Sequence, residues 1–434
     1  MPLDPLCLNC HRYTMTKFSI TAAGFLSAAL LTSAADYTLH TFKKVTLTRE
    51  FLCEGAYFGD FNHDGKMDIV AGPYWFEGPD WKTRHEFAPP PVKPYDPLGY
   101  SDYFLTFVYD FNGDGWPDIL VYSWPGKETA WYENPQGRAR HWLRHVIFAV
   151  TDNESPQLGD MNGDGKPELI CHTEGRLGFA ELDWKDPTRP ATFRPISPED
   201  RKKYFRYTHG YGYGDLNGDG RPDILERDGW WEQPASMKGD PIWKFHRVPF
   251  APDNARGGSQ MLVYDVNGDG LADVITSWDA HGYGLAWYEQ VRKNGEITFK
   301  EHMVMNTKPE DNRYGVKFTQ LHSMDLIDMD GDGVKDLVTG KRWWAHGPDK
   351  DAEPGEPAVL YWFKLSRGKE GVDFIPFQID NDSGVGTQVA AGHINGDKLP
   401  DVIVGNKKGV FVFLHESKKV SKAEWEKAQP HPAR

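Results

Sequence analysis

The chain has 434 residues and a globular composition, with 39% hydrophobic, 26% charged and 14% aromatic residues, 44 Gly and 31 Pro. So many turn-forming residues favour short strands over long helices. The formal net charge of −14 at pH 7 argues against binding to nucleic acid or to an anionic lipid surface.

The first 35 residues have the features of a leader. Met15-Thr-Lys17 precedes an apolar run over 18–31, and Ser33-Ala34-Ala35 is a small-residue cleavage pattern. We therefore predict a signal peptide that starts at Met15 and is cut before Asp36. The apolar run is shorter than the roughly 18 residues that a membrane span requires. The sequence thus predicts a secreted protein, periplasmic or extracellular, with no membrane span.

An acidic nine-residue motif recurs along the rest of the chain. Successive copies start 50, 50, 55, 50, 63 and 65 residues apart. The copies are DFNHDGKMD from Asp60, DFNGDGWPD from Asp110, DMNGDGKPE from Asp160, DLNGDGRPD from Asp215, DVNGDGLAD from Asp265, DMDGDGVKD from Asp328 and HINGDKLPD from His393. Seven copies at this period predict seven supersecondary units.

The residues after each acidic motif have the pattern of strands. A β-rich apolar run such as Ile119-Leu120-Val121 follows directly, and most repeats continue to an aromatic strand such as Trp131-Tyr132-Glu133. A fourth strand carries a histidine in several repeats; these are His85, His145, His246 and His302. Since these histidines repeat, we assign them a packing role. The fold predicted is all-β, a seven-bladed β-propeller with four antiparallel strands per blade, the acidic loop joining the first two.

The two ends of the predicted propeller complement each other. The seventh repeat supplies three strands, the last ending near Leu414, whereas Tyr37 to Leu47 resembles a fourth strand with no blade before it. We predict that this N-terminal strand completes the last blade, which removes an exposed sheet edge. The predicted organisation is a leader over 1–35, the propeller over 36–415 and a polar tail over 416–434, a short helix or disordered.

The acidic motif has the donor pattern of a calcium loop. In D-x-[ND]-x-D-G-x-x-[DE], side-chain oxygens at positions 1, 3, 5 and 9 and the main-chain carbonyl at position 7 can surround one hard cation. An all-oxygen donor set favours Ca²⁺ over zinc or copper. Six copies are complete, and each predicts one Ca²⁺ site. The predicted ligands are Asp60, Asn62, Asp64, Lys66 and Asp68; Asp110, Asn112, Asp114, Trp116 and Asp118; Asp160, Asn162, Asp164, Lys166 and Glu168; Asp215, Asn217, Asp219, Arg221 and Asp223; Asp265, Asn267, Asp269, Leu271 and Asp273; and Asp328, Asp330, Asp332, Val334 and Asp336.

The seventh loop departs from the pattern. His393 replaces the first acid and Lys398 replaces the glycine, and we expect weak binding or none there, because a lysine ammonium can occupy the place of a cation. The seven loops hold 21 of the 63 acidic residues. A calcium-loaded protein is therefore expected to be close to neutral.

These motifs resemble the FG-GAP or VCBS repeats, whose seven-bladed propellers include the head of integrin α-chains. The likeness extends over about residues 36 to 415; Phe58-Gly59-Asp60 matches the Phe-Gly element of the family, and Tyr109-Asp110 departs from it. The resemblance implies calcium between the first two strands of each blade, on the face away from the usual ligand surface. The aromatic and histidine strands are also similar, more weakly, to the propeller part of aldos-2-ulose dehydratase, whose cupin modules this chain lacks.

Polar side chains are predicted at the mouth of the central channel, opposite the acidic loops. The positions six residues before each loop begin the innermost strands; they are Glu54, Phe104, Glu154, His209, Ser259, His322 and Thr387. Turns after the second strands should face the same mouth, with Tyr74, Trp124, Glu174, Arg176, Arg227, Asp279, His281, Lys341, Arg342 and Lys407. The ordinary alternative for any one of them is a hydrated channel residue. Together they form a concave polar and aromatic site suited to ligand binding.

Two functions fit this mouth. The first is a monomeric, non-catalytic binding or structural module for a carbohydrate or protein, with ligand contacts from Glu54, Glu154, Tyr74, Trp124, Arg176, Asp279, His281 and Arg342. The second is a carbon–oxygen lyase or dehydratase acting on sugars, with His209, His322 or Tyr211 as base and Arg227 or Lys341 stabilising an enolate. The sequence contains no Gly-rich phosphate loop, Gly-x-Ser-x-Gly or His-Glu-x-x-His, which argues against nucleotide hydrolases, serine hydrolases of that type and zincins.

Overall fold

The computed structural model describes residues 37–433, so the predicted leader over 1–35 lies outside the described residues. Apolar and β-branched residues form short strands because their side chains pack well on a pleated sheet. The strands are β1 Tyr37–Thr48, β2 Ala56–Gly59, β3 Asp68–Ala71, β4 Tyr74–Phe76, β5 Arg84–Glu86, β6 Leu105–Tyr109, β7 Asp118–Tyr122, β8 Lys127–Glu133, β9 Leu143–Gly159, β10 Glu168–Thr173, β11 Arg176–Glu181, β12 Thr192–Pro195, β13 Tyr211–Gly214, β14 Asp223–Glu226, β15 Gly229–Glu232, β16 Lys244–Arg247, β17 Gln260–Tyr264, β18 Asp273–Ser277, β19 Leu285–Lys293, β20 Glu296–Met305, β21 Met324–Ile327, β22 Asp336–Gly340, β23 Leu360–Gly368, β24 Gly371–Asp380, β25 Val389–Gly392, β26 Asp401–Asn406 and β27 Gly409–Val420. Within the same range, the helical segments are a 3₁₀ turn at Pro309–Asp311 and α1 at Lys422–Ala428.

The protein is all-β, as predicted. The described strands form sheets with the orders β2-β3-β4-β5, β12-β11-β10-β9-β8-β7-β6, β16-β15-β14-β13-β17-β18-β19-β20, β21-β22-β23-β24 and β1-β27-β26-β25. Strand β9 serves both halves of the second sheet, because it pairs with β8 up to Thr151 and with β10 from Asp152. In the third sheet β13 and β17 pair in parallel. The predicted count of seven blades stays a prediction.

Each acidic loop connects two antiparallel neighbours, as the sequence predicts. In the first repeat Gly59 of β2 pairs with Asp68 of β3, and in the third Gly159 of β9 pairs with Glu168 of β10. All the loops therefore leave their first strands at the same end. The residues before those strands lie at the other end.

The N-terminal strand joins the C-terminal sheet. Strand β1 pairs antiparallel with β27, from Tyr37 opposite Val420 to Thr48 opposite Val410, which confirms the predicted pairing. The prediction that β27 ends near Leu414 is wrong: the strand continues to Val420 because β1 runs beside it for its whole length. The tail then forms α1, whose first turn is closed by a capping box between Ser421 and Glu424.

The apolar core lies between neighbouring sheets. Ile69 of β3 belongs to one buried cluster with Ile119 of β7 and Ile403 of β26. The first strands touch one another: β2 contacts β6 and β25, β13 contacts β9 and β17, and β21 contacts β17 and β25. Packing of this kind gathers the residues that precede the first strands into one region. Among the described residues, no helix has the length and apolar character needed to cross a membrane.

Candidate functional site

Four buried side chains meet where the starts of the first strands gather. We call Glu154, His209, His281 and His322 the central cluster. His209 Nε2 lies 3.0 Å from His281 Nε2 and 3.5 Å from Glu154 Oε2, and Glu154 Oε2 lies 3.1 Å from His322 Nε2. His322 is fully buried and the other three are at most 7% exposed. The cluster thus brings three imidazoles and a carboxylate together away from bulk water.

Repeat-equivalent backbone positions build most of the central cluster. Glu154, His209 and His322 each stand six residues before an acidic loop. His281 comes from the turn after β18, where its main-chain N–H donates to Asp279 Oδ1 at 2.9 Å and its carbonyl accepts from Gln320 Nε2 at 3.1 Å. The backbone of His281 is therefore fixed before its ring engages any ligand.

A second layer of charge lies beside the cluster. Arg342 Nη2 donates to Glu54 Oε2 at 2.9 Å, and its Nη1 lies 3.5 Å from Glu154 Oε2. Lys407 Nζ lies 3.9 Å from Glu54 Oε1. Burial lowers the pKa of Lys407 to about 8, although Glu54 opposes the shift. Two carboxylates are thus balanced by a guanidinium and an ammonium, which limits the cost of burying them.

The environment favours a charged Glu154 carboxylate and neutral His281 and His322 imidazoles. Burial opposes ionisation of Glu154, but His209 and His322 hold its pKa well below the usual range. Burial, with Arg342 nearby, lowers the pKa of His322 to about 3, and burial also lowers that of His281. Neutral imidazole has a free lone pair, so it can ligate a metal.

An aromatic cleft of about 640 Å³ opens above the cluster. Trp124 packs against Tyr100 with ring centroids 3.9 Å apart, and Tyr207 lies 5.7 Å from Trp124. Phe205 and Tyr207 are 50% and 38% exposed, which is high for aromatic side chains. The cleft is lined by Tyr100, Trp124, Glu154, Phe205, Tyr207, His209, Arg227, Ala255, Arg256, His281 and His346.

Several side chains predicted for this site lie elsewhere. Tyr211 is buried in the core, where its ring packs in an apolar cluster and its hydroxyl donates to Gly178 O at 3.2 Å. Lys341 Nζ donates to the Glu353 carbonyl. Tyr74 is a core residue whose ring is covered by the Arg84 guanidinium, and Arg176 pairs with Glu199 at 3.3 Å. The geometry therefore removes Tyr211 as a base and Lys341 as the cation of the cluster.

Other predicted residues reach the site, in altered roles. Trp124 and Arg227 line the cleft, and the Arg227 Nη2 is held by the Asp253 carbonyl at 3.2 Å. Asp279 holds the backbone of His281 rather than facing a ligand. The buried cation nearest to Glu154 is Arg342, which the sequence placed only among ligand contacts.

Sequence reasoning missed Tyr100, Phe205, Tyr207, Arg256 and His346. They come from connections between repeats, where no motif marks them. The His346 ring lies 4.6 Å from that of His281, and its Nδ1 lies 3.3 Å from Asp351 Oδ1. Spacing marks three of the five residues: Phe205 and Tyr207 lie in the 55-residue interval and His346 in the 65-residue interval, both longer than the basic 50. The other two lie in 50-residue intervals, where spacing gives no signal.

The acidic loops hold their oxygens in a recurrent arrangement. In the second loop Asp110 Oδ2 accepts the Gly115 N–H at 2.8 Å and Asp114 Oδ1 accepts the Trp116 N–H at 2.8 Å. Asp118 is fully buried and accepts the N–H groups of Phe111 and Asn134. In the sixth loop, oxygens of Asp328, Asp330 and Asp332 all lie within 4.8 Å of one another. Clustered oxygens of this kind fit the donor set of a calcium ion.

A basic side chain enters the sixth loop. Lys364 Nζ, from β23, donates to Asp330 and also to Asp332 Oδ2, the latter at 2.6 Å. The sequence predicts that kind of contact for Lys398 of the seventh loop. In the seventh loop Asn395 Nδ2 instead donates to Asp397 Oδ2 at 2.8 Å.

Comparison with known proteins identifies the repeat. The model of the FG-GAP-like repeat family matches residues 110–171, the span from the second acidic loop to strand β10. No curated protein sequence matches the chain significantly.

Similar solved structures have low sequence identity to this chain. One is a lectin from Agrocybe aegerita that recognises non-reducing terminal N-acetylglucosamine, with 17% identity, a TM-score of 0.47 and coverage of 86% of this chain and 85% of that one. The N-terminal part of BBS1, in complex with ARL6, has 12% identity, a TM-score of 0.46 and coverage of 89% and 98%. The rhamnogalacturonan lyase YesW has 12% identity, a TM-score of 0.41 and coverage of 87% and 72%.

Proposed function

We propose that this FG-GAP-like repeat protein is a secreted, calcium-stabilised β-propeller of seven blades that binds an acidic carbohydrate in its central cleft. The blade count is supported by the seven acidic motifs, each of which joins two antiparallel strands. Ring closure is supported by the pairing of β1 with β27 and by the contacts of β2 with both β6 and β25. Closure of a ring leaves few sheet edges open to other chains.

Calcium is proposed as the ion of the six complete loops. Their side chains supply only oxygen, and positions 1, 3 and 5 converge in the sixth loop. The ion would neutralise acids that otherwise repel one another, while main-chain N–H groups hold the carboxylates in place. Its role here is structural, because it would fix the turn between the first two strands of each blade.

The carbohydrate assignment depends on one observation: exposed aromatic faces surround a charged floor. Flat aromatic side chains such as Trp124 and Tyr207 offer apolar faces to the C–H surface of a sugar, with a polar edge for its hydroxyls. Arg227 and Arg256 line the same cleft, and guanidinium groups bind carboxylates through paired hydrogen bonds. A uronic-acid unit combines the two features that such a cleft recognises.

Calorimetric titration with uronic-acid oligosaccharides and with neutral oligosaccharides of equal length tests this proposal. We expect the acidic series to bind more tightly, and Tyr207→Ala and Arg256→Ala each to weaken that binding by at least about tenfold. Matched controls are Trp425→Ala on α1 and Arg247→Ala on β16, which lie outside the cleft and should leave the affinity unchanged. Equal affinity in the cleft and control variants would refute a carbohydrate site here.

A second candidate function, a carbon–oxygen lyase, is favoured by the meeting of His209 and His322. Their ring centroids lie 5.2 Å apart, with Arg342 Nη1 3.5 Å from the adjoining Glu154. An unprotonated imidazole could take the proton next to the sugar carboxylate; the C–H electron pair then forms the C=C bond as the C–O bond to the leaving sugar breaks, and the leaving oxygen takes a proton from water. Absorbance of the new double bond, measured with uronic-acid polysaccharides, distinguishes the two functions. A binding module gives no signal, whereas a lyase gives one that His322→Ala abolishes.

A further inference from the structure

The central cluster differs from the acidic loops in its donor atoms. Each of the six complete loops presents oxygens only. The central cluster presents three imidazole nitrogens and one carboxylate oxygen, all within 4.8 Å of one another. Imidazole nitrogen suits zinc and related transition metals, and calcium strongly prefers oxygen. The two kinds of site would therefore select different ions.

The spacing of these atoms matches the edge of a coordination polyhedron. Metal–nitrogen and metal–oxygen bonds of about 2.0–2.2 Å place neighbouring tetrahedral ligand atoms roughly 3.3–3.6 Å apart. The three closest contacts of the cluster are 3.0, 3.1 and 3.5 Å. Only small side-chain shifts would be needed to centre an ion among the four atoms.

Hydrogen bonding within the protein leaves part of the cluster unsatisfied. Among the described residues, both ring nitrogens of His322 and the Nδ1 of His281 have no hydrogen-bond partner, although they are buried. His322 Nε2 lies 3.1 Å from Glu154 Oε2 without forming a hydrogen bond. Buried polar atoms without partners are costly. A metal ion would satisfy the nitrogens that face the carboxylate.

We propose that Glu154, His209, His281 and His322 bind one divalent transition-metal ion, of which Zn²⁺ is the best match to the donor set. The backbone of His281 is fixed by Asp279 and Gln320, as surrounding groups commonly orient metal ligands. Glu154, His209 and His281 also line the aromatic cleft. An acidic group of a ligand in the cleft could therefore reach the ion, with Arg342 beside it.

Failure of this proposal would leave the carbohydrate proposal standing, although Glu154, His209 and His281 also line the cleft, because metal binding is measured without carbohydrate and with the calcium loops saturated. The full chain, purified without a polyhistidine tag, is stripped with a chelator and titrated with Co²⁺ in excess Ca²⁺. We expect one equivalent to bind, with a visible ligand-field absorption typical of nitrogen and oxygen coordination. Zn²⁺ should displace the Co²⁺ and abolish that absorption.

Variants locate the ion. His281→Ala and Glu154→Gln should each weaken Co²⁺ binding by more than about 100-fold, whereas His172→Phe and His85→Ala should leave it unchanged. Glu154→Gln preserves the shape of the side chain, so it remains informative if His281→Ala does not fold; thermal unfolding in Ca²⁺ reports folding for each. Absence of a Co²⁺ absorption in the wild type, or its persistence in folded Glu154→Gln and His281→Ala, would overturn the proposal.

Discussion

The histidines of this chain differ in what their ring nitrogens contact. His246 Nε2 lies 2.6 Å from Glu232 Oε2, and the imidazoles of the central cluster face a carboxylate. His172 of β10 has neither kind of partner: it is 1% exposed, both ring nitrogens are without a hydrogen bond among the described residues, and its ring meets Tyr204 and Tyr211 edge-on. His172 therefore occupies the position of an aromatic core residue, but its ring carries two buried polar nitrogens.

Replacement of His172 by Phe should reduce the acid sensitivity of the fold. Burial lowers the pKa of His172 from 6.5 to about 3. The unfolded chain therefore binds a proton as pH falls below about 6.5, while the folded chain does not, so stability decreases between those two values. At pH 4 the penalty is roughly 3 kcal/mol.

The measurement is the free energy of unfolding by urea at pH 7 and at pH 4 for both proteins. Between pH 7 and pH 4, we expect the free energy of unfolding of the wild type to fall by roughly 3 kcal/mol more than that of His172→Phe. His85→Phe, at a half-exposed position, is the control and should gain much less. An equal fall in the free energy of unfolding of wild type and His172→Phe would contradict the lowered pKa of His172.

At the scale of elements, the third and fourth strands of several repeats share one side-chain arrangement. A tryptophan of the third strand packs on a histidine of the fourth, whose Nε2 lies within hydrogen-bond distance of a glutamate in the third strand or directly after it. The sets are Trp75, His85 and Glu77; Trp131, His145 and Glu133; Trp230, His246 and Glu232; and Trp287, His302 and Glu289. In the third repeat Arg194 replaces the histidine and pairs with Glu181. The arrangement ties the outermost strand to the strand next to it.

In the set of Trp230, His246 and Glu232, the ring stacking and the hydrogen bond can be tested separately. The Trp230 and His246 rings lie 4.0 Å apart and 5° from parallel. We expect His246→Ala to lower the free energy of unfolding by about 1–2 kcal/mol, and His246→Phe, which keeps the stacking and loses the hydrogen bond, by less. Chemical denaturation measures both, with Arg247→Ala on the same strand as the neutral control. Equal losses in the Ala and Phe variants would show that stacking contributes nothing.

The sixth acidic loop carries its own competitor for a cation. Lys364 contacts Asp330 and Asp332, and an ammonium about 4 Å from a doubly charged ion in water is repelled by about 2 kcal/mol. Lys364→Met should therefore raise the calcium affinity of this loop by at least about tenfold. Calcium titration measured by calorimetry tests this, with Lys369→Met in the β23–β24 turn as control. An unchanged affinity of the weakest calcium site in Lys364→Met would contradict this prediction, and would show that the lysine moves away from the loop when calcium binds.

Loops and strands could be predicted from the sequence because residues within each repeat determine them. The nine-residue motif specifies a turn, and the apolar run after it specifies the next strand, so local chemistry suffices. The central cluster is different: His209 and His281 are 72 residues apart, and their contact depends on how the segment before β13 meets the turn after β18, in two different repeats. Tyr211 illustrates the same limit, since only packing against β11 decides that its ring enters the core. The inserted loops that supply Tyr207 and His346 follow no repeat pattern at all.

At the scale of the whole molecule, charge is separated along the first strands. The acidic loops lie at one end of these strands, and the central cluster with its arginine and lysine lies at the other. The acids of the loops repel one another and contribute to a net charge of −14. Since bound calcium would remove most of that charge, the stability of the fold should depend on calcium at several independent positions.

The chain contains a matched pair of loops with which to test this dependence. Asp114 and Asp397 occupy position 5 of the second and seventh loops, and each accepts the main-chain N–H two residues on at 2.8 Å. Conversion of either to Asn keeps an acceptor oxygen and removes one charge. Of these two loops, the second has an acid at position 1, whereas the seventh has His393 there. We expect Asp114→Asn to reduce bound calcium by one ion per chain and to lower the Tm in calcium but not in excess chelator, since an ion that binds only the folded state stabilises it. Asp397→Asn should change neither quantity; elemental analysis and thermal unfolding measure both, and equal calcium loss in the two variants would contradict a structural role that depends on complete loops.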